Sequence, residues 1–263
     1  MRYKQFLLNE GRSKSITKEV AFETIKKKCK QAYKAYKNGK NLYRGLENNI
    51  EYLFVDPKQG SLRKSANTSN YYTLLIDNNP YWKKYPKRSQ SIICTNNYSY
   101  ASGYGIVYEV FPYDGAKMGV CPSRDFWFSF ENTIGDGNSL NFFNFKISKL
   151  FNQYGVRLND KDFPSFKKSL EELEEKLKKN KKSLSVLDFI TNKWLMKSES
   201  FIDNLYKILN PSDNGFKLTS ITNIPNEVYS QELWTDSKSI MIKSLYGGAG
   251  GLNTDLIEYM DKK

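Results

Sequence analysis

The placing of its helical stretch does most to limit what this chain can fold into. From about residue 164 to residue 209 the pattern is helical, yet the stretches on both sides of it read as short strands. Leu170, Leu173 and Leu177 set a narrow apolar stripe within the highly charged segment 165–182, and glutamates spaced ahead of lysines suit an exposed helix. Val186 to Leu195 and Phe201 to Leu209 give two further helices, and Asn210-Pro211-Ser212-Asp213-Asn214-Gly215 ends the block. A helical block inside a strand-bearing chain predicts an α+β fold.

Outside the block the punctuation is equally readable. Thr17 or Ser15 caps a helix over about 15–38, with Ala21, Ile25, Cys29, Ala32 and Tyr36 on one face and Asn38-Gly39 at its end. Asn41 to Leu46 is a short apolar strand with one arginine, Arg44, and Gly45 directly after it. An arginine on a buried side is costly unless it meets an anion, and a glycine beside it permits close approach to the backbone. Glu51 to Val55 is a second strand, closed by Asp56-Pro57. A polar loop over 61–70 and a helix from Tyr71 to Asp77 follow. Ile92 to Thr95 reads as a buried strand, Tyr98 to Tyr104 as a short helix, and Gly105 to Phe111 as an alternating strand that turns Glu109 outward. Pro112 to Gly115 is a turn, Lys117 to Cys121 a strand, and Asp125 to Phe130 an aromatic run that packs beneath it. Late in the chain, Val228 to Trp234 and Ser239 to Ile242 form a hairpin around Thr235-Asp236-Ser237-Lys238. Gly247 to Gly251 has no following Lys-Ser/Thr, so it is not a phosphate-binding loop.

Composition excludes much chemistry. There is no histidine, which removes histidine-based triads, dyads and metal sites. Cys29, Cys94 and Cys121 are an odd number at wide spacings, fit neither a disulfide framework nor a zinc site, and read as core residues of a reducing compartment. No metal is expected. The first eleven residues hold only Phe6-Leu7-Leu8 as an apolar cluster, and no stretch has the length of a membrane span, so we expect a soluble, cytoplasmic protein with no membrane partner. A net charge of +13 attracts anions such as nucleotides and nucleic acid.

Three separated elements then fall into one order. Leu42-Tyr43-Arg44-Gly45 is an arginine-bearing strand. Ser91-Ile92-Ile93-Cys94-Thr95-Asn96 is a middle strand with hydroxyls at its ends, followed by Ala101 and Val107 to Val110. Ser230-Gln231-Glu232-Leu233-Trp234 is a late strand opening on a glutamate. In this the chain resembles the ADP-ribosyltransferase family, in its Arg, Ser-Thr-Ser and Glu branch, over roughly 42–117 and 228–243. The texture is also similar to that of large tailed phage proteins. Two departures stand out. The middle triplet is Cys94-Thr95-Asn96, with Ser91 three residues earlier, or Ser89 and Ser91 supplying the hydroxyls. The first acidic position of the late turn is Ser230.

The resemblance implies a single domain over 1–263 with a split two-sheet core, the N-terminal helix at about 15–38 and the helical block as an insertion at about 160–210. It also implies a phage-encoded, NAD-dependent transferase acting in the host cytoplasm on a host protein or nucleic acid. It implies Glu232 as the catalytic carboxylate, and Tyr43, Arg44, Gly45, Ser91 and Thr95 as the NAD-binding residues. Ser230 stands at the acceptor-orienting position. NAD is the co-substrate. Two other readings remain: an inactive protein of the same fold that blocks a host anti-phage factor, and a basic nucleic-acid-binding protein.

Overall fold

A computed structural model describes residues 13–60, 70–135, 139–179, 200–225, 230–244 and 253–262. In chain order its elements are β1 (Ser13–Ser15), α1 (Lys18–Lys28), α2 (Lys30–Lys37), β2 (Tyr43–Leu46), β3 (Tyr52–Val55), α3 (Tyr71–Asn78), β4 (Ile92–Thr95), α4 (Tyr98–Ser102), β5 (Ile106–Pro112) and β6 (Lys117–Val120). Then come α5 (Glu131–Ile134), α6 (Ser139–Gln153), α7 (Phe163–Lys179), α8 (Phe201–Ile208), β7 (Lys217–Ser220), β8 (Glu232–Thr235), β9 (Ser239–Lys243) and α9 (Thr254–Asp261). The fold is mixed α and β. The second helix expected in the block, Val186 to Leu195, lies outside the described residues, as do the loop 61–69, the start of the late strand at Val228 and the glycine run.

Thr17 caps α1 by accepting from the Val20 N–H at 3.3 Å. Lys26, Lys27 and Lys28 crowd the last turn, where the helix dipole favours cations. One helix was expected to run on to Asn38; instead the chain breaks at Cys29. The reason is Asp114, in the turn after β5. Its N–H donates to the Lys28 carbonyl at 2.6 Å and its carboxylate accepts from the Gln31 N–H at 2.7 Å, which takes both groups out of a continuous helix.

Among the described residues nine strands form one antiparallel sheet in the order β1-β3-β9-β5-β2-β4-β8-β6-β7. The expectation was two sheets, and the ladder is continuous. Its continuity rests on little at one place, because β2 and β4 share a single registered pair, Tyr43 with Thr95. By contrast β2 pairs with β5 over its whole length, Tyr43 with Glu109 through Leu46 with Ile106. The main core lies where α1, α2 and α9 pack on the sheet, and includes Phe22, Ile25, Leu53, Tyr108, Phe111, Met241 and Leu256. Tyr43, Ala101 and Val107 form a smaller cluster with Tyr98 of α4. Helices thus pack against β5 from two elements, α2 and α4, and every residue from Val107 to Pro112 is buried. This corrects the outward reading of Glu109, which is 4% exposed. Alternation signals an outward residue only where one sheet face meets water.

The chain divides into two compact units, 1–66 with 85–120 and 218–263, and 67–84 with 121–217. The second unit is helical and draws on more of the chain than the insertion expected at 160–210. Within it Tyr71 stacks on Phe166, and Trp82, Phe126, Phe130 and Phe216 form a ring cluster. Trp82 also donates from its indole to the Leu209 carbonyl at 2.6 Å. Among the described residues no helix is long and apolar enough to cross a membrane.

Candidate functional site

The three sequence elements meet in the first unit on adjacent strands. β2 carries Arg44, β4 ends on Thr95, and β8 opens on Glu232, in the order β2-β4-β8. Thr95 registers with Tyr43 on one side and with Glu232 on the other. Beyond the Tyr43–Thr95 pair no described strand pairs with the β4 edge of Arg44, Gly45 and Leu46. A side chain crosses the gap instead: the Arg44 guanidinium donates to the Ile93 carbonyl of β4 at 3.1 Å.

Glu232 is held by a residue that the sequence reading passed over. Arg88 lies in a 3₁₀ turn leading to β4, and its guanidinium pairs with the Glu232 carboxylate at 2.5 Å. Their side chains are only 7% and 12% exposed. Water therefore screens the ion pair poorly. Arg88 is itself braced, with its guanidinium 5.8 Å from the centre of the Trp234 ring. Trp234 is fully buried, donates to the Pro86 carbonyl at 2.9 Å, and stacks on Tyr85. Gly119 of β6 lies under its indole, where an added Cβ would come within 2.2 Å of the ring.

Arg44 belongs to the same electrostatic group. Burial holds its guanidinium below the ordinary arginine value, while Cys94 and the Glu232 carboxylate act in the opposite direction. Among the described residues, two guanidinium groups thus act on one carboxylate at the β2–β4–β8 junction. Cys94 is a poor nucleophile here, since burial pushes its thiol up to about 12.

The other expected site residues have clear local roles. Tyr43 is buried, packs edge-on to Tyr98, and its hydroxyl accepts from the Asn41 amide at 2.8 Å. A Cβ on Gly45 would lie 2.1 Å from the Ala101 carbonyl oxygen, so the glycine admits the backbone of α4. The Thr95 hydroxyl accepts from the Asn97 N–H at 3.2 Å at the start of α4. Ser91 does not join this group. Its hydroxyl donates to the Lys87 carbonyl at 2.7 Å, and it precedes the end of β4 opposite to Thr95, about 13 Å away along an extended strand. Ser230 lies just before β8, in a segment tied down by Asn96, whose side-chain oxygen accepts from the Gln231 N–H at 2.9 Å. Asn96, read in the sequence only as the last member of the middle triplet, thus positions the segment that leads into β8. Its one signal was an amide at the end of a buried strand. Arg88 had none, because a basic residue in a polar lead-in reads as solvated.

Among the described residues no cluster of three or more acidic, cysteine or histidine side chains could hold a metal. Compared with protein-family models, curated proteins and solved structures, the chain matches none.

Proposed function

We propose that this chain transfers ADP-ribose from NAD to a macromolecular acceptor, a host protein or a nucleic acid. Glu232 is the catalytic carboxylate and Arg44 the phosphate-binding cation in this reading. The observation that carries it is the meeting of Arg44, Thr95 and Glu232 on three neighbouring strands, with Glu232 held in place by Arg88. The charge balance fits an anionic dinucleotide, since two arginines face one carboxylate.

Breaking the bond between ribose C1′ and the nicotinamide nitrogen sends the bonding pair to nicotinamide and leaves positive charge developing on the ribose. The acceptor's electron pair closes the new bond at C1′, and its proton passes to solvent. Glu232 stabilises that developing charge, as carboxylates do in glycoside chemistry. Arg44 supplies charge-assisted hydrogen bonds to phosphate oxygens. The unpaired β2 edge at Gly45 offers backbone groups for an amide. None of these steps calls on the buried thiols or on a metal.

The test uses labelled NAD with cell extract and compares wild type with Glu232→Gln. Label transferred to a macromolecule by wild type and lost in the variant is the expected result. No NAD consumption and no labelled product from wild type sinks the enzymatic claim. A second reading, binding without turnover, is favoured by the Arg88–Glu232 pair, which occupies the carboxylate. Calorimetry separates the two: an enzyme binds NAD in a way that Arg44→Ala weakens, whereas a protein that only blocks a host factor shows no such binding.

A further inference from the structure

A second group of buried polar atoms lies between β5, α2 and the start of α9. Glu109 Oε1 accepts from the Tyr36 hydroxyl at 3.2 Å, and the same hydroxyl accepts from the Asn253 N–H at 2.6 Å. Asn253 caps α9 by accepting from the Leu256 N–H at 3.0 Å. One line of hydrogen bonds therefore runs from a sheet carboxyl through a tyrosine to the N-terminus of the last helix.

Two oxygens in this cluster have no donor among the described residues: Glu109 Oε2 and Asn41 Oδ1. Both residues are more than nine-tenths buried, and both line one small cavity with Tyr36, Lys40 and Phe111. The cavity measures about 10 Å³, room for a single water. Among the described residues no cation bonds to Glu109. From α2 comes Tyr36; after α2, the Lys40 ammonium bonds to the Thr222 carbonyl at 2.9 Å. Approaching β2 are Asn41 and Tyr43, joined to each other, and from β9 the residue opposite is Ile242. Lys243 turns to Asn49 at 2.7 Å. A buried carboxylate without a cation is costly, whereas a buried carboxylic acid with acceptors for its proton is not.

We propose that this cavity binds one water and one proton: Glu109 holds the proton on Oε2, the water joins that hydroxyl to Asn41 Oδ1, and the neutral acid keeps α9 docked through Tyr36. Each atom is then satisfied. Oε2–H donates to the water, the water donates to Asn41, and Oε1 continues to accept from Tyr36. Ionisation strengthens the Tyr36 hydrogen bond but leaves a desolvated charge, and letting water reach that charge opens the cavity and parts Tyr36 from Asn253. Burial, opposed only in part by the Tyr36 hydrogen bond, pushes Glu109 up to about 7, so the change falls near neutral pH. The site owes nothing to NAD and stands whether or not the chain turns it over.

Hydrogen exchange of the α9 amides from pH 5.5 to pH 8.5, corrected for intrinsic rates, tests the coupling on the full chain. Wild-type protection is expected to fall roughly tenfold or more as the proton leaves, and Glu109→Gln to hold it level. Tyr36→Phe should lose protection at the acid end as well. A level wild type, or an equal slope in Glu109→Gln, overturns the proposal. Carbon-13 carboxyl titration of the wild type gives a check independent of any variant: a glutamate titrating near pH 7 supports it, and all glutamates titrating below about pH 5 overturn it. A high-resolution crystal structure should show the water between Glu109 and Asn41, and a direct contact of the two side chains would remove the water from the scheme.

Discussion

Removing the guanidinium of Arg88 is the sharpest test of how Glu232 is held. Arg88→Met keeps an unbranched apolar stem beside Trp234 and deletes the charge. Glu232, 12% exposed, then loses the cation that sits 2.5 Å from its carboxylate. Breaking a buried ion pair from one side costs about 3–5 kcal/mol, mostly because the surviving charge remains desolvated. Arg44 also acts on Glu232 and offsets part of that, so the lower end, about 3 kcal/mol, is the expected loss. Glu232→Gln keeps an acceptor for Arg88 and costs less, about 2 kcal/mol, within the range for truncated charged hydrogen bonds.

The decisive quantity is the double variant, Arg88→Met with Glu232→Gln. It has no bare carboxylate, so its loss should be smaller than the sum of the single losses by about 2 kcal/mol, a coupling of the size found for residues in direct contact. Urea unfolding at pH 7.5 measures all four proteins, and unchanged m-values confirm that the states compared are alike. Strict additivity, or an Arg88→Met loss under about 1 kcal/mol as for an exposed pair, refutes the view that this pair is a buried clamp on Glu232.

Other expectations follow from individual contacts. Gly45→Ala forces a Cβ to within 2.1 Å of the Ala101 carbonyl and 2.8 Å of the Tyr104 Cβ, and should cost about 3 kcal/mol by thermal unfolding; a neutral outcome would mean that α4 is not seated on β2. Cys29 and Cys94 have thiols pushed up to about 12 by burial, and Cys121 is buried as well. None should react with a thiol reagent at pH 8 until the chain unfolds, and one fast-reacting thiol in the native protein contradicts this packing. Glu109 rises from 4.5 to about 7, so folded stability falls as pH climbs through that interval, by about 3 kcal/mol in full. Glu109→Gln should match wild type below pH 4.5 and exceed it above pH 7. A constant difference across the range would assign the titration to another group.

Where the chain is punctuated by glycine, proline and capping side chains, its elements could be read directly. The strand at Arg44, the strand ending at Thr95 and the helix after it appear where their turn residues place them, as do the two strands on either side of Asp236. These two, however, do not pair as the expected hairpin, because β8 lies between β4 and β6 and β9 between β3 and β5. The failures have one physical origin: they depend on a partner distant in sequence. Cys29 breaks a helix because Asp114 captures its neighbours from 83 residues away, as the Gln31–Asp114 bond shows. Glu109 points inward because α2 and α4 both pack against β5. Arg88 leaves solvent because Glu232 is folded against it from far along the chain. Local propensity carries no trace of these pairings.

The same reasoning sharpens what the candidate site must do if it is catalytic. A carboxylate meant to steady developing positive charge is weakened in that task by a guanidinium 2.5 Å away, since Arg88 already neutralises it. Yet Arg88 is placed by Trp234 and Pro86, and Trp234 is placed by Gly119, so its position is built into the sheet. Such a brace is useful if it keeps Glu232 oriented before substrate arrives, with Arg44 left to meet the anion. This gives Arg88 a kinetic signature separate from its effect on stability. Arg88→Lys, which keeps a charge but loses the planar fork, should lower kcat for NAD more than it raises KM, because the carboxylate is misplaced while the phosphate-binding cation is untouched. A rise in KM with kcat unchanged would instead make Arg88 part of the substrate-binding surface, and Glu232 the residue that holds it there.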